Sequence, residues 1–90
     1  MTRDEIRKAV LDALLKAAPE ARPASLRPGE DLREQLEIDS YDFLNFVIAL
    51  DHGLSVAIPE SDYRKLATLD SSVDYLAARM EQLVEKGARR

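Results

Sequence analysis

Few side chains in this sequence are equipped for chemistry, and their scarcity narrows the choices. The 90 residues include no cysteine and a single histidine, His52. Without cysteine there is no disulfide framework, no thiolate metal site and no cysteine nucleophile within the chain. Any thiol chemistry has to come from an attached group. The hydroxyl that stands out is Ser40, which follows Asp39 at the head of an apolar run. His52 is too far along to serve it, about 18 Å away on a helix rising about 1.5 Å per residue. No other neighbour would activate Ser40 as a nucleophile, so no catalytic residue and no metal ligand is assigned and an enzyme is not expected. His52, just before Gly53, reads as a favourable charge near a helix C-terminus.

Charge marks the same region. The net charge of −4 hides a segment from Gly29 to Asp62 that holds nine acidic residues and one basic residue, Arg33. That segment carries −8 and the rest of the chain +4. A local negative field of this kind attracts basic protein surfaces and repels nucleic acid, which makes a DNA-binding module a poor reading. Charges fill the opening Met1-Thr2-Arg3-Asp4-Glu5, where a signal peptide has an apolar core, and no apolar run approaches the roughly 20 residues of a membrane span. A cytoplasmic monomer with no membrane insertion is expected.

The elements that must position Ser40 follow from periodicity. A first helix is expected from Thr2 to Ala18, with Ile6, Val10, Ala13, Leu14 and Ala17 on its buried face. Thr2 and Glu5 have the spacing of a capping box, and Pro19 stops the helix. From Pro19 to Asp39 a long connection with three prolines and a glycine should contain a short helical turn, pinned to the core by Leu26, Leu32 and Leu36. A second helix should run from Ser40 to about Asp51, with Asp39 as N-cap, Asp42 in the first turn and Gly53 as C-cap. Leu54 to Ile58 alternates like a strand but has no partner strand, so an extended connector is expected. Pro59 opens a short helix from Glu60 to about Leu66. Thr68 or Asp70 caps a last helix to about Glu85, which buries Val73, Leu76, Ala77, Met80, Leu83 and Val84 and ends at Gly87. Tyr63 and Tyr75 are expected at the core edge with hydrated hydroxyls. The result is an all-α domain spanning residues 1–90, a small four-helix bundle of three longer helices and one short one with a long first loop. Residues 86–90 are expected to form a solvated tail.

The stretch Asp31 to Asp42, with Leu36 ahead of Asp39-Ser40 and an apolar helix, resembles the attachment motif of the acyl carrier protein family. The resemblance continues through Ala49-Leu50-Asp51, Ile58-Pro59-Glu60, Leu66-Ala67-Thr68-Leu69 and Tyr75-Leu76, in the family's order and spacing, over roughly residues 4 to 84. It implies a carrier of acyl thioesters on a 4′-phosphopantetheine arm attached to Ser40, with Asp39 the adjacent motif residue. A separate, magnesium-using phosphopantetheinyl transferase would move the group from coenzyme A onto the serine. A helix N-terminus suits the phosphodiester, because its unpaired N–H groups and macrodipole favour an anion.

The helix after Ser40 has more apolar positions than a core stripe needs. Tyr41, Leu44 and Ile48 share one face, and flanked by Asp39, Asp42 and Asp51 they form an expected docking patch for acyl-loading and acyl-processing enzymes with basic surfaces. The alternative is that these three and Phe43, Phe46, Val47 and Leu50, seven apolar side chains in all, are core. Phe46, Val47, Leu50, Ile58 and Leu66 are the expected lining for a sheltered acyl chain, and two phenylalanines in one helix, Phe43 and Phe46, favour short or exposed cargo. Three positions depart from the family pattern: Glu37 where glycine is common, Tyr41 where leucine is usual, and Asn45 where many fatty-acid carriers have a carboxylate. They favour a specialised, stand-alone carrier in fatty acid, polyketide or related acyl metabolism. A peptidyl or aminoacyl carrier, or an unmodified helical adaptor, are the rival readings.

Overall fold

Thr2 starts the first helix in the way its spacing predicts. Its hydroxyl accepts from the Glu5 N–H at 3.2 Å, and the Glu5 carboxylate accepts from the Thr2 N–H at 2.8 Å. That backbone hydrogen bond holds the Glu5 carboxyl below its usual range. The computed structural model describes residues 1–88, with side chains described through Glu81. Helix α1 spans Arg3–Ala17 and buries Ile6, Val10, Ala13 and Leu14, with Ala17 half-buried.

The long connection after α1 is ordered by two short helical pieces. A 3-10 turn at Pro23–Ser25 precedes α2, Leu32–Leu36, which Asp31 caps by accepting from the Glu34 N–H at 3.0 Å. Leu32 is fully buried, and its N–H donates to the Ala67 carbonyl at 2.7 Å. The Asp70 N–H donates to the Pro28 carbonyl at 3.0 Å. These two bonds tie the connection to the start of the last helix. Leu26 and Leu36 pack against the core from its edge.

Helix α3 spans Ser40–Leu54 and contributes Phe46, Val47, Leu50 and Leu54 to the core. It passes the expected end near Asp51: Gly53 lies inside the helix, and Ser55 makes the left-handed C-cap at φ 53°. Leu54 is buried, so the helix gains by continuing to it. The connector to Pro59 is extended with Val56 and Ile58 buried, and the Arg79 guanidinium donates to the Ala57 carbonyl at 3.0 Å. The short helix Glu60–Leu66 is 3-10 in hydrogen bonding, with Pro59 at its N-cap.

Helix α4 spans Leu69–Ala88. Of the two candidate caps, Thr68 acts: the Ser71 N–H donates to Thr68 Oγ1 at 2.9 Å and the Thr68 N–H to Ser71 Oγ at 3.1 Å. Val73 and Leu76 are buried, and Ala77 and Met80 are half-buried. Leu83 and Val84 lie outside the residues whose side chains are described. The helix runs through Gly87, which does not end it, so positions 86–88 of the expected tail are helical, and 89 and 90 lie outside the described residues. Tyr75 also differs from expectation: its hydroxyl donates to Asp62 Oδ2 at 2.7 Å instead of depending on water. The fold is all-α, a small helical bundle in which α1 packs on α3 and α4 around one shared core.

Candidate functional site

The site begins with the turn that aims α3. Helix α2 ends at Glu37, whose backbone is left-handed at φ 52° and ψ 41°. Ile38 then turns inward and is buried, and its N–H donates to the Arg33 carbonyl at 3.2 Å. The next residue, Asp39, is extended and caps α3 by accepting from the Asp42 N–H at 2.9 Å. Ser40 is therefore the first helical residue and is not the capping residue. Its side chain is exposed. Its Oγ accepts one long hydrogen bond, from Arg33 Nη2 at 3.4 Å.

Beyond Ser40 the apolar side chains of α3 divide into two sets. Phe46, Val47 and Leu50 are at most 2% exposed, and half-buried Phe43 meets Phe46 in a tilted arrangement with ring centroids 5.8 Å apart. Tyr41, Leu44 and Ile48 are 71%, 42% and 47% exposed. Apart from Met1 they are the exposed large hydrophobic side chains among the described residues. The alternative in which all seven are core does not hold. Asp39 is exposed and Asp42 and Asp51 are half-buried around the stripe.

The five residues expected to shelter a cargo, Phe46, Val47, Leu50, Ile58 and Leu66, are buried in one continuous core. None of them lines the open groove of about 450 Å³ that starts at Ser40. That groove runs along Arg33, Phe43 and Leu44 to Tyr63 and Ala67. A larger cleft of about 670 Å³ lies between the end of α1, the first connection and the α2–α3 joint, and Ser40 is not on its wall. The groove is the smaller of the two, but it is the one in contact with the exposed hydroxyl.

Two positioning residues escaped the pattern reading. Gln35 accepts from the Arg27 N–H at 2.9 Å and donates to the carbonyls of Arg27 and Glu30 at 2.9 and 3.1 Å, clamping the connection onto α2. No local signal announces a glutamine with three backbone partners. Arg33, which reaches Ser40, has a signal in the sequence: it is the sole basic residue of the acidic segment.

On the far side of the groove, Asp62, Lys65 and Tyr75 brace the 3-10 helix against α4. Burial and the hydrogen bond to Asp62 push the Tyr75 hydroxyl up to about 12, and the same hydrogen bond draws the Asp62 carboxyl below its usual range. Lys65 lies 3.6 Å from Asp62 and 5.6 Å over the Tyr75 ring. Among the described residues no three His, Cys, Asp or Glu side chains are grouped so as to hold a metal ion, and no helix is long and apolar enough to cross a membrane.

No protein-family model matches the chain. Individual proteins do. An acyl carrier protein of Rubrobacter xylanophilus is 30% identical over 53 residues, 59% of this chain and 65% of its own length. One of Chlorobium luteolum is 28% identical over 76 residues, 84% of this chain and 96% of its own. Acyl carrier protein 2, mitochondrial, of Arabidopsis thaliana is 26% identical over 78 residues, 87% of this chain and 61% of its own.

Proposed function

We propose that this chain is a member of the acyl carrier protein family and a carrier, not an enzyme, with a 4′-phosphopantetheine arm on Ser40. The observation that carries the reading is the division of tasks at the start of α3. Asp39 caps the helix, which leaves the Ser40 hydroxyl exposed and free of structural duty. The distant relatives, each named an acyl carrier protein, point the same way.

The residues present fit such a group. The attachment oxygen sits at the positive end of a 15-residue helix, which favours a phosphodiester, and a guanidinium stands beside it. When bound, the arm supplies a terminal thiol that holds acyl groups as thioesters, chemistry that a cysteine-free chain lacks. Ser40 itself makes one new bond. Its Oγ bonds to the phosphate of coenzyme A that carries pantetheine, the bond to adenosine 3′,5′-bisphosphate breaks, and the serine proton passes to a base of the phosphopantetheinyl transferase.

Tyr41, Leu44 and Ile48 form the docking stripe for that transferase and for acyl-loading and acyl-processing enzymes. The carboxylates of Asp39, Asp42 and Asp51 around it meet basic groups on the partner. A closed core at Phe46, Val47, Leu50, Ile58 and Leu66 favours short or exposed acyl groups. A long acyl chain whose thioester resisted hydrolysis on this protein would contradict that preference. The carrier reading is tested by intact mass after incubation with a phosphopantetheinyl transferase, magnesium and coenzyme A. The expected result is a gain of one phosphopantetheinyl group, absent in Ser40→Ala. No gain in the wild type would leave an unmodified helical adaptor.

A further inference from the structure

Arg33 is the one cation in a segment with nine acids, and it is not paired with any of them. Among the described residues no carboxylate lies within ion-pair distance of its guanidinium, although Asp31, Glu34 and Glu37 stand close in the chain. Its guanidinium lies instead over the Phe43 ring, 5.8 Å from the centroid, and Nη2 reaches Ser40 Oγ. The platform beneath it is firm. Leu32 is fully buried, Asp31 caps α2, and Gln35 is bonded to the connection at three points. A guanidinium offers five N–H donors in a planar fork that matches phosphate oxygens. Here it makes one long bond to a neutral hydroxyl, so most of that capacity is unused.

We infer that Arg33 is a phosphate-positioning residue: once Ser40 carries its arm, the Arg33 guanidinium binds the charged oxygens of the phosphodiester. This rests on the carrier reading proposed above. The phosphorus would be bonded to the oxygen that Nη2 already approaches, so a bond to an uncharged hydroxyl becomes a pair with an anion without a change of backbone. Phe43 holds the fork flat from one side. Arg33 and Ser40 both line the groove that leads to Tyr63 and Ala67. A phosphate held on the α2 side therefore starts the arm along that groove and away from the exposed side chains of Tyr41 and Ile48.

The test is phosphorus NMR of the full-length modified protein, compared with a phosphopantetheinylated peptide of residues 36–46, over a sodium chloride titration. Wild-type protein should give a resonance distinct from the peptide at low salt that moves toward it as salt screens the pair. Arg33→Gln should sit at the peptide position at every salt concentration, and Arg33→Lys, a point charge without the fork, should fall between. Coincident wild-type and Arg33→Gln resonances would overturn the inference while leaving the carrier reading intact. Failure of the wild type to gain mass would overturn both. Arg33 is exposed and its variants should fold, but should Arg33→Gln not fold, the wild-type salt titration and Arg33→Lys still decide the outcome.

Discussion

Ile48→Glu separates docking from folding. Ile48 is 47% exposed, so about half of its surface is in contact with the protein. Full burial of an isoleucine side chain stabilises by about 1.5–3 kcal/mol, so the half retained here amounts to about 1 kcal/mol. Glutamate keeps part of that contact through its methylene groups and is the better helix former. Against this stands like-charge repulsion from Asp51, three residues on, of about 0.2–0.5 kcal/mol. The expected loss is thus about 1 kcal/mol, seen as a fall of about 4–8 °C in Tm for a domain of this size. Phe46→Ala, in the closed core, should by contrast cost about 3–5 kcal/mol.

The docking effect should appear in a protein that stays folded. If a partner covers the exposed half of Ile48, losing that contact removes about 1 kcal/mol, roughly a fivefold fall in kcat/KM for modification by the transferase. The added negative charge would by itself attract a basic partner, so a fall measured in its presence is due to the apolar stripe. The assays are thermal melting followed by helical circular dichroism and the initial rate of modification. A folded variant with undiminished kcat/KM would refute the docking role. A stability loss near that of Phe46→Ala would refute the exposure argument.

The backbone and one half-buried hydroxyl supply further expectations. Glu37→Gly should stabilise by about 0.5–1 kcal/mol, because glycine takes the left-handed conformation without the Cβ penalty, less its greater unfolded-state entropy. Gly53→Ala should stabilise by a similar amount, about 0.5–1 kcal/mol, since Gly53 is helical and an added Cβ meets nothing within 4 Å. Both are read from denaturant midpoints. Tyr75 has a folded pKa of about 12 against a usual 10.0, so its contribution is complete below pH 10 and is lost as pH rises toward 12. Absorbance titration should show a late tyrosinate component missing from Tyr75→Phe, and a wild type without that late component would refute the Asp62 contact.

What was legible in the sequence was what local chemistry controls. The capping pair Thr2–Glu5 and the cap at Asp39 act over three residues and can be read from spacing, whereas Thr68 and Asp70 were equal candidates until the Ser71 contact chose Thr68. The exposed stripe was legible because α3 carries more apolar residues than one core face can bury. The left-handed positions were hidden because glutamate and serine occupy them, at Glu37 and Ser55, while Gly53 invited an earlier end to the helix. The ties that hold the first connection, Leu32 to Ala67 and Asp70 to Pro28, join residues far apart in sequence and leave no periodic trace. Periodicity also could not say that Phe43, rather than Phe46, would face the groove at Ser40.

The Ser40 oxygen is the proposed attachment point. Cleavage at Arg33 and Arg64 yields a peptide, residues 34–64, that contains three serines: Ser40, Ser55 and Ser61. Fragment-ion mass spectrometry of that peptide, after treatment of the whole protein with transferase and coenzyme A, should assign the added phosphopantetheinyl mass to Ser40. Mass assigned to Ser55 or Ser61, or an unmodified peptide under conditions that fully convert a known carrier, would contradict the account.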